Sequence, residues 1–301
     1  MEVNVTLKLG VIGLSEGNGH PYSWSAIFNG YDPAQMEECG FPVIPRYLEK
    51  QRWPEDAIPE AKVTHVWTQD LALSNHVAKA ARITHVVKRP EDMIGEVDGI
   101  LLARDDPETH FELAAPFLKA GLPVYIDKPV CLSLKELDHL YALQQFPGQL
   151  FTCSAIRYGR EFEFTEPIRA KLGKLRHIHA TTPKDWEKYG VHVIEPLLKL
   201  AGDQGKLERY QNWRQGDAVI IQLAWESGFQ ATVSALGKSA CPLGLRLIGD
   251  AGWHDMIFAD SFFAFKAALT DFVMGMINRD VRTDPDFVRR VVEVIEVGRN
   301  Q

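Results

Sequence analysis

Residues 13–20 read GLSEGNGH, a glycine-rich turn between an apolar, β-branched stretch (5–12) and a segment with helical spacing. Such a turn leaves helix N–H groups unpaired at a positive dipole end, and a pyrophosphate satisfies both. The dinucleotide fingerprint is G-x-G-x-x-G. Gly13 matches it, Ser15 and Asn18 stand where the second and third glycines would be, and Gly17 and Gly19 are displaced. A tight structural turn is the plain alternative. The same residues also satisfy G-x-S-x-G, the nucleophile elbow of α/β-hydrolases, with Ser15 as the nucleophile. An elbow follows an interior strand, and here no earlier strand stands before it to build an oxyanion hole. The phosphate reading is preferred.

A dinucleotide site also wants an acid at the end of the second strand, about 20 residues past the glycines, to hold the ribose hydroxyl. The candidates here are Thr68, Gln69 and Asp70, much further along. Asp70 favours NAD, and no arginine follows it to suit a 2′-phosphate. The excess chain lies in 40–59, an insertion rich in proline, charge and aromatics that reads as a lid or a surface excursion. His177 and His179 share one strand face and, with His192 or Glu195, make a conceivable zinc set, but nothing in the spacing makes them converge. No metal is expected.

These residues need a scaffold. The first half alternates strand-like runs (5–12, 63–68, 84–87, 97–103, 123–126) with helical ones (22–39, 71–82, 107–120, 133–144). That alternation predicts an α/β, Rossmann-type doubly wound parallel sheet, with ligands beyond the strands' carboxyl ends. The second half differs. Strands at 177–181, 218–225, 229–236 and 245–248, with helices at 166–171, 193–200, 261–277 and 285–298, predict an α+β domain with a largely antiparallel open sheet. The expected domains are 1–150 for the dinucleotide and 151–301 for substrate and self-association.

Composition bounds the partners. Of 301 residues, 33 are Lys or Arg and 40 are Asp or Glu, a net charge of -7. An acidic chain without a strong basic cluster is a poor candidate for nucleic acid or an anionic membrane. Its four scattered cysteines read as reduced thiols, and no stretch has the length of a membrane span, so the expectation is a cytoplasmic protein.

After Ala103 a longer pattern emerges. Asp106-Pro-Glu-Thr-His110, an apolar helix ending Ala120-Gly121, a strand, and Asp127-Lys128-Pro129 resemble the Gfo/Idh/MocA oxidoreductases, which show T-P-x-x-x-H, A-G and E-K-P in that order. Arg157-Tyr158, Gly173-Lys-Leu175, the run from Gly190 through His192 to Glu195, and Ile248-Gly249 through Gly252 are similar to later motifs of the same family. The resemblance covers essentially the whole chain. It implies NAD or NADP as cofactor, a sugar, sugar nucleotide or sugar-like alcohol or ketone as substrate, and a homodimer or homotetramer through the C-terminal sheet. The family also includes a non-enzymatic regulator, so a dinucleotide-binding partner protein is the alternative.

By the same resemblance Lys128 and His192 are catalytic, and Gly13, Ser15, Gly17, Asn18, Gly19, His20, Asp70, His110, Asp127 and Lys128 form the cofactor side. Arg157, Tyr158, Trp186, Lys188 and Tyr189 form the substrate side. The chemistry suits those roles. Hydride leaves a carbinol carbon as its hydroxyl proton is removed, which histidine can accept near neutrality, while a lysine ammonium stabilises the developing alkoxide. Trp186 and Tyr189 suit the apolar face of a pyranose. Two departures stand out. Asp127 replaces the family's Glu, and Lys188 occupies the position, four before His192, where many members carry Asp. Glu195, three residues past His192, is the acid expected to orient the imidazole.

Overall fold

The computed structural model describes residues 6–299, so residue 5 of the expected first strand lies outside them. The chain divides into two units. One comprises residues up to Cys131, Glu136–Cys153 and Phe265–Asp284; the other comprises Leu132–Lys135, Ser154–Ala264 and residues from Pro285 onward.

The first unit is built on β1 (Leu7–Ile12), β2 (Ala61–Trp67), β3 (His85–Val86), β4 (Gly99–Leu102), β5 (Val124–Ile126) and β6 (Leu150–Thr152). Their order is β3-β2-β1-β4-β5-β6, and every neighbouring pair is parallel. The order reverses between β1 and β4, which makes the carboxyl ends of those strands the switch point where α/β sheets bind ligands. The strand cores are apolar on both sides, as a sheet covered on both faces requires: Val11, Ile12, Ile100, Leu101 and Ile126 are fully buried. The crossovers carry α1 (His20–Asn29), α2 (Pro33–Glu37), α3 (Val43–Leu48), α4 (Leu71–Ala80), α5 (His110–Lys119) and α6 (Leu134–Tyr141).

The helix expected over 22–39 is two. α1 ends at Gly30, whose N–H donates to the Ala26 carbonyl, and Asp32 then caps α2 through the Gln35 N–H with Pro33 at its first turn. The insertion at 40–59 is no loose excursion, and its Phe41 and Ile44 pack directly against Gly19 of the glycine turn. It contains α3, buries Ile44, Leu48 and Ile58, and is tied to α1 by an Ile58 N–H to Ile27 carbonyl bond of 3.0 Å. The segment expected to belong wholly to the second half, α10 (Ser261–Asn278), returns to the first unit from Phe265 onward. Its Phe272 ring lies 5.7 Å from both Tyr125 and Phe151.

The second unit is a six-stranded sheet of β7 (Leu175–Thr182), β8 (Leu207–Gln215), β9 (Ala218–Trp225), β10 (Gln230–Leu236), β11 (Gly244–Gly249) and β12 (Trp253–Ile257). The order is β12-β11-β7-β10-β9-β8, with only β7–β10 parallel. Helices α7 (Glu166–Leu172), α8 (Trp186–Tyr189), α9 (Val191–Ala201) and α11 (Pro285–Arg299) complete it. One face carries the core: Ile178, Ile221, Val233 and Leu247 pack with Ile194 of α9 and Ile295 of α11. The opposite face exposes Trp213, Ile220, Ile248, Trp253 and Ile257. Strands β8 and β12 are absent from the sequence expectation: β8 is polar and mostly exposed, and β12 is a five-residue edge strand, WHDMI, with one buried residue. No described helix is long and apolar enough to cross a membrane.

Candidate functional site

In the first unit the glycine turn sits at the carboxyl end of β1. A side chain at Gly13 would collide with Pro21 Cγ at 2.2 Å, so the strand enters α1 only because this residue has no Cβ. Gly17 has φ +77°, with open space where a Cβ would stand. Among the described residues, the N–H groups of Ser15, Glu16, Gly17 and Gly19 take no protein partner. That is a row of donors around an open cradle, which fits a pyrophosphate. The first N–H of α1, on His20, is spoken for by Asn18 Oδ1 at 2.8 Å. Beside the cradle, Gln69 clamps Leu14 from both sides, accepting its N–H at 2.9 Å and donating to its carbonyl at 2.8 Å. Arg104 donates to the same carbonyl at 3.1 Å.

Two buried carboxylates follow β4 and β5. Asp105 accepts from the Ser15 hydroxyl at 2.7 Å and returns its own N–H to that oxygen at 3.0 Å. Asp127 Oδ2 meets Asn18 Nδ2 at 2.9 Å and His20 Nδ1 at 2.5 Å, while its Oδ1 accepts the Lys128 N–H at 2.8 Å. The Lys128 ammonium lies 3.3 Å from Asp105 Oδ2, and both groups are buried. Ser15, Asn18, His20, Asp127 and Lys128 therefore gather as the sequence reading expected. Asp105, which that reading omitted, joins them; its only sequence signal was an acid directly after a buried strand.

One alternative for this unit falls, and two expectations need correction. Ser15 has no histidine at its hydroxyl, which is engaged by Asp105, so the nucleophile-elbow reading falls. His110 is fully buried with its ring nitrogens against the carbonyls of Val130 and Arg104, at 3.0 and 2.9 Å. It ties two strand-end loops together rather than reaching a ligand. Asp70 is the N-cap of α4, accepting the Leu73 N–H at 2.8 Å, and Gln69 is the residue that reaches the glycine turn.

The second unit holds a separate polar cluster at the start of α9. His192 is half-buried, its Nδ1 2.8 Å from the Ser154 hydroxyl, with the Tyr189 ring edge-on at 5.1 Å. Glu195, one turn on, is buried. Its Oε1 accepts the Ser154 N–H at 2.7 Å, and its Oε2 lies 3.3 Å from Arg157 Nη1. Burial pushes the Glu195 carboxyl up to about 7 against the opposing pull of the Arg157 charge and the Ser154 N–H. Arg157 also donates to the Tyr158 hydroxyl at 3.1 Å, and its carbonyl accepts from Lys199, whose amine is lowered first by burial and then by the Arg157 charge. The acid expected to orient His192 does not touch it in this geometry; Ser154 stands between them.

Trp186 is a correction too. It is fully buried, its indole N–H donates to the Ile295 carbonyl at 2.9 Å, and its ring fills the space a Cβ at Gly298 would need. It packs the core of the unit and cannot be a sugar platform. Lys188 lies on α8, its N–H held by the cap residue Asp185 at 2.8 Å. Lys184, missed in the sequence, donates to the Tyr189 hydroxyl, with its ammonium 4.2 Å from that ring.

Residues 43–153 match the Gfo/Idh/MocA model, an oxidoreductase family with an NAD-binding Rossmann fold. The matched residues run from α3 through β6 and include Asp105 and Lys128 but not the glycine turn. Whole solved structures are similar to this chain in fold. Myo-inositol 2-dehydrogenase from Lactobacillus plantarum has a TM-score of 0.74 at 15% identity, covering 97% of this chain and 96% of that one. UDP-N-acetylglucosamine 3-dehydrogenase from Acidithiobacillus ferrooxidans has a TM-score of 0.70 at 17% identity, covering 98% and 97%. A putative UDP-kanosamine synthase oxidoreductase subunit from Amycolatopsis mediterranei is 36% identical over 69 residues, 23% of this chain. The match spans about a fifth of that relative, 19% of its length.

Proposed function

We propose that this protein is an NAD(P)-dependent dehydrogenase acting on the carbinol or ketone of a sugar, a sugar nucleotide or a sugar-like polyol. The observation that carries the reading is Lys128, a buried ammonium at the carboxyl end of β5 in the same polar network as a glycine turn whose amides stand open. The turn from Gly13 to His20 holds the pyrophosphate on those amides. When bound, the dinucleotide supplies the hydride acceptor or donor. Lys128 would stabilise the charge growing on a carbinol oxygen as its C–H bond breaks, and His192 is the second unit's candidate to take a hydroxyl proton. In reduction the proton returns by the same route. Arg157, Tyr158, Lys188 and Tyr189 recognise substrate hydroxyls or an anionic group.

NAD is the preferred dinucleotide on the sequence, where no arginine directly follows Asp70 to meet a 2′-phosphate. The exposed aromatic and aliphatic face of the second sheet, with Trp213 and Trp253 about half exposed at 46% and 54%, supports self-association into a dimer or tetramer. A cytoplasmic setting fits the scattered cysteines.

The test is NADH and NADPH binding by fluorescence and thermal shift, followed by turnover with myo-inositol, scyllo-inositol and UDP-N-acetylglucosamine. Binding with turnover that collapses in Lys128→Ala is expected. Lys188, a reversed charge where the family often has an acid, keeps a second reading open: a dinucleotide-binding regulator, which binds NADH and turns over nothing. If neither dinucleotide binds at millimolar concentration, both readings fail.

A further inference from the structure

We infer that Asp105 is the positioning residue and counter-charge of Lys128, and that through Ser15 it couples the glycine turn to the lysine; the inference rests on Lys128 having the role just proposed. β1, β4 and β5 are neighbouring parallel strands. Their carboxyl ends deliver Ser15, Asp105 and Lys128 in a row, each under a tenth exposed at 4%, 6% and 4%. The hydroxyl-to-carboxylate distance is 2.7 Å and the ammonium-to-carboxylate distance 3.3 Å. A second line runs in parallel: Asn18 and His20 hold Asp127, and Asp127 holds the backbone N–H of Lys128. Lys128 is thus gripped at its amide and at its ammonium, and both grips lead back to the turn.

Burying an ion pair seldom stabilises a fold over an apolar alternative of the same shape, because desolvation offsets the attraction. A pair kept at the switch point of the sheet is better explained by what it positions. The arrangement also accounts for the interrupted glycine fingerprint. A glycine at 15 has no hydroxyl with which to hold Asp105, whereas Ser15 both accepts the Asp105 N–H and donates to its carboxylate. The acid following β4 supplies the carboxylate from within the lysine's own unit.

The experiment is competitive acetylation of the full-length protein with acetic anhydride. Lys128 labelling is read by peptide mass spectrometry against the other lysines, across pH, with and without NADH. In Asp105→Asn the buried lysine loses its carboxylate partner, so its labelling rate at fixed pH should rise roughly tenfold. Asp105→Glu should restore most of the original rate, which a general loosening would not do. Ser15→Ala, which keeps the ion pair and loosens its anchor, should raise labelling about threefold and carries the test if Asp105→Asn does not fold. A Lys128 labelling rate unchanged in Asp105→Asn, or in Ser15→Ala where that variant stands alone, overturns the inference. NADH should slow Lys128 labelling in the wild type. If it does not, while Asp105→Asn still raises the rate, the pair stands, but the coupling to the turn and the dehydrogenase reading fall.

Discussion

The Ser154 hydroxyl meets His192 Nδ1 at 2.8 Å, and the Ser154 N–H donates to Glu195 at 2.7 Å. One residue therefore fixes the imidazole and anchors a buried carboxylate. Because Nδ1 is engaged, the serine orients the ring, and Nε2 is the atom proposed to exchange a proton with substrate.

Ser154→Ala removes the hydroxyl and leaves the backbone bond to Glu195 in place. The expected outcome is a fall in kcat of up to ~100-fold, the scale at which misplacing a reacting group costs rate, with KM changed little. Steady-state kinetics on whichever substrate the dehydrogenase panel identifies checks it. Independently, the 15N shift of His192 Nδ1 should change in the variant as its hydroxyl partner is lost. An unchanged Nδ1 shift together with an unchanged kcat would remove Ser154 from the mechanism.

Glu195 gives a pH prediction with a definite sign. Its folded value is about 7 against an ordinary 4.5, so the native state holds a proton that the unfolded chain has released. Stability then falls as pH rises from about 4.5 to about 7 and is flat in this contribution on either side. The full span is on the order of 3 kcal/mol. Glu195→Gln cannot titrate, so the wild-type-minus-variant difference in unfolding free energy should shrink by that order between pH 5 and pH 7.5. Urea unfolding at the two pH values measures it, and a pH-independent difference contradicts the assignment.

The parallel sheet and the glycine turn were legible in the sequence because each rests on local chemistry, β-branched runs and punctuating glycines, whereas Lys128 was singled out through the family resemblance of the Asp127-Lys128-Pro129 motif. Asp105 was not, since its partners Ser15 and Lys128 come from other strand ends and only the sheet order brings them together. Ser154 escaped for the same reason, being an ordinary serine until the chain folds it against α9. Trp186 was misread in the opposite direction. Aromatic side chains beside a catalytic motif look like a sugar platform, and the sign that this one is core was a glycine far along the chain, Gly298, whose missing side chain makes room for the ring. Strand β8 was invisible because its side chains are mostly exposed and carry no period-two apolar pattern.

Trp186 separates the packing role from the ligand role. Trp186→Ala removes a fully buried ring and leaves the Ile295 carbonyl without its indole donor. Loss of a buried tryptophan costs ~3–5 kcal/mol in a well-packed core. The expected result is a large drop in the unfolding midpoint of the second unit, with NADH affinity unchanged in the protein that remains folded. A near-neutral effect on stability would return Trp186 to the surface and reopen the platform reading.

Gly17 tests the cradle with the least disturbance elsewhere. An alanine there meets no atom within 4 Å, so the only structural cost is the backbone at φ +77°. Holding a residue with a Cβ in that region costs about 1 kcal/mol, a shift of a few degrees at most in the melting temperature of a protein this size. The row of open amides from Ser15 to Gly17 would meanwhile be crowded where a phosphate must approach them closely. Gly17→Ala should therefore lower NADH affinity by tenfold or more in a fluorescence titration, while the melting temperature without ligand barely moves. A variant that binds NADH as the wild type does would place the pyrophosphate away from this turn.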